Sequence, residues 1–266
     1  MAMQKICVFI DFTDGCKVAL KQASVLAQKS NATICLLNIV DSVAEVEKTK
    51  VQLLKFAKTA LGHSVLMEAY AAVGGLMDGS KAQLQKIHPD LVIIGTHGIK
   101  GIKQKFLGAD ILKLVKVIEF PCIVVQENSE VNESGFKKIL FPIGPHHNFM
   151  VKIKQTAHFA KLFDCKITLY EISKEGFDTN GLAHKNKVMA KTYFAENNIS
   201  VTEDAEEMTV FSAGNSRQTL NYADKNAFDL IAMMSTISQN EILYGATDKE
   251  NLLVNSLGIP VLCCNE

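Results

Sequence analysis

Apolar residues along this chain fall into two alternating textures. Short unbroken runs stand at residues 5–10 (KICVFI), 33–40 (TICLLNIV), 65–73, 91–94 (LVII) and 122–125 (CIVV). Such runs have the composition of strands buried on both faces. Between them, apolar residues return at helical spacing: Ala19, Ala23, Leu26 and Ala27, then Val51, Leu54, Ala57 and Leu61, then Ile111, Leu114, Val115 and Ile118. Those sets predict inward helix faces. Ser30-Asn31, Gly74-Gly75, Pro89 and Pro121 punctuate the alternation. Five strands alternating with helices predict a parallel, doubly wound α/β sheet.

The pattern then starts again. Residues 126–135 (QENSEVNESG) are polar and acidic around a single apolar Val131 and read as a linker. Beyond them KILFPI at 138–143 matches KICVFI at an offset of 133, and residues 155–172 match 22–39 at the same offset. DLIAMM at 229–234 and PVLCC at 260–264 match DLVIIG at 90–95 and PCIVV at 121–125 at an offset of 139. Two tandem copies of one Rossmann-like fold explain this, with domains expected at 1–127 and 136–266.

Candidate chemistry lies at two strand ends of the first copy. Asp11 follows the first strand, where open α/β sheets bind ligands, though it also reads as a turn or helix-capping aspartate. Gly95, Gly98 and Gly101 punctuate the loop after the fourth strand, and Gly108 opens the next helix. Glycines let backbone N–H groups approach an anion, and the helix start adds unpaired donors; the same glycines also suit a plain strand-to-helix turn. Lys100, Lys103 and Lys105 add positive charge, and His97 reads as a phosphate contact or a turn cap.

Here the chain resembles the universal stress protein family. Nucleotide-binding members of that family carry Gly-x2-Gly-x9-Gly-Ser/Thr after the fourth strand, and Gly95, Gly98 and Gly108 have that spacing. Ala109 stands where the family has a hydroxyl, and Asp110 follows it. The resemblance implies two adenine nucleotide alpha-hydrolase-like domains whose fifth strands, CIVVQ and VLCCN, pair as an intramolecular pseudo-dimer. It implies ATP or AMP bound by Asp11, the glycine loop with Ala109 and Asp110, backbone groups at Val40 and Ile94, and a cavity wall at Phe9 and Ile10. An Asp11–Asp110 pair would leave room for Mg²⁺ beside the phosphates. In the second copy Gly144, Met234 and Ile237 replace Asp11, Gly95 and Gly98, so that half is expected to be degenerate; Gly245-Ala246-Thr247 survives near the third glycine.

Composition narrows the function. Lys plus Arg and Asp plus Glu are 28 each, so no global field favours nucleic acid or an anionic membrane. No signal peptide precedes the first strand and no apolar run reaches ~20 residues, which makes a cytoplasmic protein the expectation. Seven cysteines without CxxC spacing argue against a disulfide framework or structural zinc and read as buried thiols, with one of Cys263 and Cys264 exposed. His146-His147 reads as a solvated turn, and no HExxH, GxSxG or zinc-deaminase signature occurs. The expectation is a stress-response regulatory protein that binds adenine nucleotide, with no catalytic residues and no metal site of its own. Its partners would be the nucleotide, a further protein and other copies of the pseudo-dimer. The alternatives are a slow ATP hydrolase or phosphotransfer protein, and a nucleotide-free interaction module.

Overall fold

The computed structural model describes residues 3–61, 65–96, 108–173, 181–208, 214–236 and 245–265. The first half runs β1 (Lys5–Phe9), α1 (Asp14–Ser30), β2 (Thr33–Val40), α2 (Val46–Leu61), β3 (Met67–Val73), α3 (Leu76–Ile87), β4 (Leu91–Thr96), α4 (Gly108–Val117) and β5 (Cys122–Gln126). The second repeats it: β6 (Lys138–Pro142), α5 (Phe149–Phe163), β7 (Lys166–Ser173), α6 (Leu182–Glu196), β8 (Val201–Glu207), α7 (Gly214–Lys225), β9 (Leu230–Met234), α8 (Ala246–Leu253) and β10 (Val261–Cys264). Asn31 and Asp164 end α1 and α5 in the left-handed conformation, a matched stop at the repeat offset.

All ten strands form one sheet in the order β3-β2-β1-β4-β5-β10-β9-β6-β7-β8. Pairing is parallel except at the central seam, where β5 meets β10 antiparallel with Ile123 opposite Leu262 and Cys122 opposite Cys263. The fifth strands therefore cover each other's edges, which would be aggregation-prone if bare. Amide side chains at the ends of the seam strands also reach carbonyls of the other half. Gln126 Nε2 donates to the Leu253 carbonyl at 2.9 Å, and Asn265 Nδ2 donates to the Phe120 carbonyl at 2.7 Å.

Helices cover both faces of the sheet. Val8, Ile34, Ile93, Ile123 and Leu262 pack toward α1, α2, α5 and α6. Cys7, Cys35, Val92, Cys122 and Cys263 form a row across five adjacent strands on the other face, toward α3, α4, α7 and α8. Cys263 and Cys264 do point to opposite faces, but both are buried, because a central strand has no open side. The expected exposed thiol is not there. On α2 the expected inward residues Leu54, Ala57 and Leu61 do pack on the core, joined by the buried Thr49 and Leu53, while Val51 is 67% exposed. That helix overlies the flank of β2 and β3, so its contact stripe is narrow.

The acidic segment after β5 is not a slack tether. Asn128 Nδ2 donates to the Ser256 carbonyl at 2.9 Å, Ser129 is buried, and Gly135 lies against Lys29. Phe136 is buried against Phe159, their ring centroids 5.7 Å apart.

Candidate functional site

A cavity of about 370 Å³ opens where β1, β2 and β4 end. This is the ligand position of a doubly wound sheet, and the size lies within the range of small-molecule sites. Phe9 and Ile10 come from β1 and its exit, Ile94 and Gly95 from β4, and Leu37, Asn38 and Ile39 from β2. Gly74-Gly75 and Leu76 wall it from the start of α3, and Leu114 reaches it from α4. Asp11 and Asp41 are the charged groups on this lining among the described residues.

Asp11 is oriented by its own loop. Its Oδ1 accepts from the Thr13 backbone N–H at 3.1 Å, from the Thr13 hydroxyl at 2.5 Å and from the Cys16 thiol at 2.8 Å. Thr13 occupies the N-cap position of α1, but its hydroxyl serves Asp11 instead of capping the helix. Asp11 Oδ2 has no hydrogen-bond partner among the described residues. Burial pushes the Cys16 thiol up to about 12, and the neighbouring Asp11 carboxylate adds to the rise, so Cys16 stays a thiol donor. The turn forces Phe12 to a φ of 65°, an arrangement that costs a bulky residue about 1–3 kcal/mol and must be held by its surroundings. Beside Asp11, Asn38 Nδ2 donates to the Ile10 carbonyl at 2.6 Å, which leaves its Oδ1 available.

The structure brings Phe9, Ile10, Asp11, Ile94 and Gly95 together on this one lining. Val40 is not on it, and its carbonyl accepts from the Gly74 N–H at 3.1 Å. Gly98 lies outside the described residues, as do His97, Lys100, Lys103 and Lys105. Gly108 opens α4, with Ala109 and Asp110 in its first turn. Asp110 does not line the cavity and pairs with Lys113 at 3.4 Å. Thr96, at the base of the glycine loop, is buried with its hydroxyl unpartnered among the described residues.

Sequence reasoning did not single out Cys16, Asn38, Asp41, or Gly74-Gly75 as lining. Asn38 carried a usable signal, because it is the one polar residue inside the apolar run at 34–40. A polar side chain there needs a partner or a ligand.

Among the described residues of the second half the corresponding space is filled. Pro142 pairs with Tyr170 in the register in which Phe9 pairs with Leu37. Tyr170 is fully buried, stacks on Tyr222 at 4.3 Å, and donates its hydroxyl to Glu206 at 2.8 Å. Met234 is buried at the end of β9. Lys152 is buried as well: its Nζ donates to the Pro142 carbonyl at 2.5 Å and lies 4.1 Å from the Phe141 ring centroid. His146 is not a solvated turn residue. It is 4% exposed, its Nδ1 accepts from the Asn148 N–H at 3.2 Å, and its Nε2 therefore donates to the Thr236 hydroxyl at 3.1 Å. The gap left between Pro142, His146, Lys152 and Met234 is about 20 Å³, space for about one water.

No protein-family model matches the chain, and no curated protein matches it in sequence. Solved structures do match over its whole length. A universal stress protein from Archaeoglobus fulgidus DSM 4304 superposes with a TM-score of 0.65 at 15% identity, covering 98% of this chain and 96% of that one. A putative universal stress protein from Pseudomonas aeruginosa UCBPP-PA14 gives 0.60 at 15% identity, covering 99% and 94%. The cytoplasmic domain of a prokaryotic cation chloride cotransporter gives 0.52 at 9% identity, covering 98% and 95%. At these identities the likeness shows the fold alone, and fold does not decide function.

Proposed function

We propose that this chain, which has the tandem fold of the universal stress proteins, binds one adenine nucleotide in its first half and acts as a regulatory module. One coincidence carries the reading. Phe9, Ile10, Asp11, Ile94 and Gly95, assigned to a nucleotide site through the family resemblance, line a single cavity at the strand ends. Phe9, Leu37, Ile94 and Leu114 offer apolar walls to a flat base, and Asn38 Oδ1 and Asp11 Oδ2 are acceptors suited to amino and hydroxyl donors. Acidic groups on this lining disfavour phosphate there. The anionic end of the ligand is assigned instead to the glycine loop and the start of α4, where the unpartnered Thr96 hydroxyl lies at the loop base.

The fit is to a bound nucleotide more than to a reaction on it. Cys16, the thiol on the lining, is held protonated, and the pairing of Asp110 with Lys113 does not favour an Asp11–Asp110 magnesium site. The role in stress response rests on the family resemblance. Residence in the cytoplasm is inferred from seven buried free thiols, which suit a reducing compartment. Mass spectrometry of ligand released from freshly purified protein, followed by calorimetry with ATP and AMP, tests the reading. Adenine nucleotide released from wild type and lost in Gly98→Val is the expected result. Equal binding by that variant would contradict it.

A further inference from the structure

We infer that the outer face of the first half, between α1 and α2, is a docking groove for an acidic peptide segment carrying an apolar anchor. The groove spans about 720 Å³ and shares no lining residue with the nucleotide cavity. Its floor is aromatic: Phe12 and Phe56 meet edge to face, centroids 5.5 Å apart at 84°. Its rim is basic, formed by Lys17 and Lys21 of α1 and Lys55 of α2. Phe12 is 39% exposed although the backbone is strained to present it. The Asp11 carboxylate fixes that strain through the Thr13 N–H, so the ring is displayed by a built turn rather than by a loose loop.

The occupant follows from charge and shape. Lys21 and Lys55 form no ion pair among the described residues, and Lys17 is engaged only by the exposed Asp14 at 2.6 Å, a pairing easily exchanged. Lysine stems can flank an apolar side chain while their ammonium groups meet carboxylates on either side. Because the two rings are set against each other edge to face, stacking of successive bases has no platform here, which disfavours a single-stranded nucleic acid. The feature belongs to the first half: at the repeat offset Phe12 becomes Pro145 and Lys17 becomes Met150.

Fluorescence anisotropy with the full chain and a labelled Glu-Glu-Leu-Phe-Glu-Glu peptide tests this. Saturable binding is expected, lost when the glutamates are replaced by lysines and weakened by about tenfold in Lys21→Glu/Lys55→Glu, whose positions are exposed. Phe12→Ala should weaken it further. Absence of saturable binding, or equal affinity for the double variant, would overturn the proposal. So would tighter binding of oligothymidylate, or a self-association that the double variant abolishes, which would put a second copy of the chain in the groove.

Discussion

Gly95 of β4 and Gly15 of α1 are in backbone contact, so close that a Cβ added to Gly95 would lie 2.3 Å from the Gly15 carbonyl oxygen. A Cβ on Gly15 would in turn meet the Thr96 carbonyl at 2.7 Å. Neither neighbour is a flexible side chain, so substitution must move the start of α1 away from β4. Gly95→Ala should cost about 1–3 kcal/mol in urea denaturation and shift Asp11 and Cys16, weakening nucleotide binding in calorimetry. Gly75→Ala is the control: nothing lies within 4 Å of its added Cβ, and the expected change is within about 0.5 kcal/mol. Equal stability of the two variants would contradict this packing.

The amides at the seam predict mutual dependence of the halves. Gln126→Leu leaves the buried Leu253 carbonyl without its donor, and Asn265→Leu does the same to Phe120. Each should cost about 1–3 kcal/mol, the penalty of an unsatisfied buried polar group. Hydrogen exchange should then rise together at Ile123 and Leu262, which are opposed across the seam. Exchange that rises in one strand alone would show that the halves open separately.

Alkaline pH should destabilise the protein through its thiols. Burial raises all seven above the ordinary value of 9.0, Cys16 and Cys165 up to about 12, Cys35 and Cys264 up to about 11, and Cys7, Cys122 and Cys263 in the same direction. A raised thiol keeps its proton in the folded state where the unfolded chain has released it. This contribution is whole below the unfolded value near 9 and is lost as pH rises through the folded values. A fully buried thiol such as Cys122 removes about 1.4 kcal/mol per pH unit in that window. In reducing buffer the urea midpoint should hold steady through neutral pH and fall above the ordinary thiol value. An unchanged alkaline midpoint would contradict the burial described.

Much of the fold was legible because buried parallel strands need unbroken apolar runs, and KICVFI, LVII and CIVV have no other use. The pairing of CIVVQ with VLCCN was implied by the family resemblance, and two apolar edges needing cover agree with it. What could not be read depended on distant partners. Nothing local tells that His146 meets Thr236, ninety residues away, or that α2 would leave Val51 in solvent. Gly95 was legible as a special glycine, but its tight contact is with the Gly15 backbone, which only the packing of α1 on β4 reveals. Five of the proposed site residues meet on one lining because strand ends are set by the alternation itself, while Val40 turns its carbonyl to Gly74.

Among the described residues the two halves are asymmetric, with an open cavity of about 370 Å³ in the first and a remnant of about 20 Å³ in the second. Met234, His146 and Lys152 line the remnant, and displacing them would break native hydrogen bonds and packing. Titration calorimetry of the full chain with ATP or AMP measures this directly. The account predicts saturation at one nucleotide per chain, abolished by Gly98→Val in the first half and unchanged by Met234→Gly in the second. Saturation at two per chain, or binding that survives Gly98→Val, would contradict it.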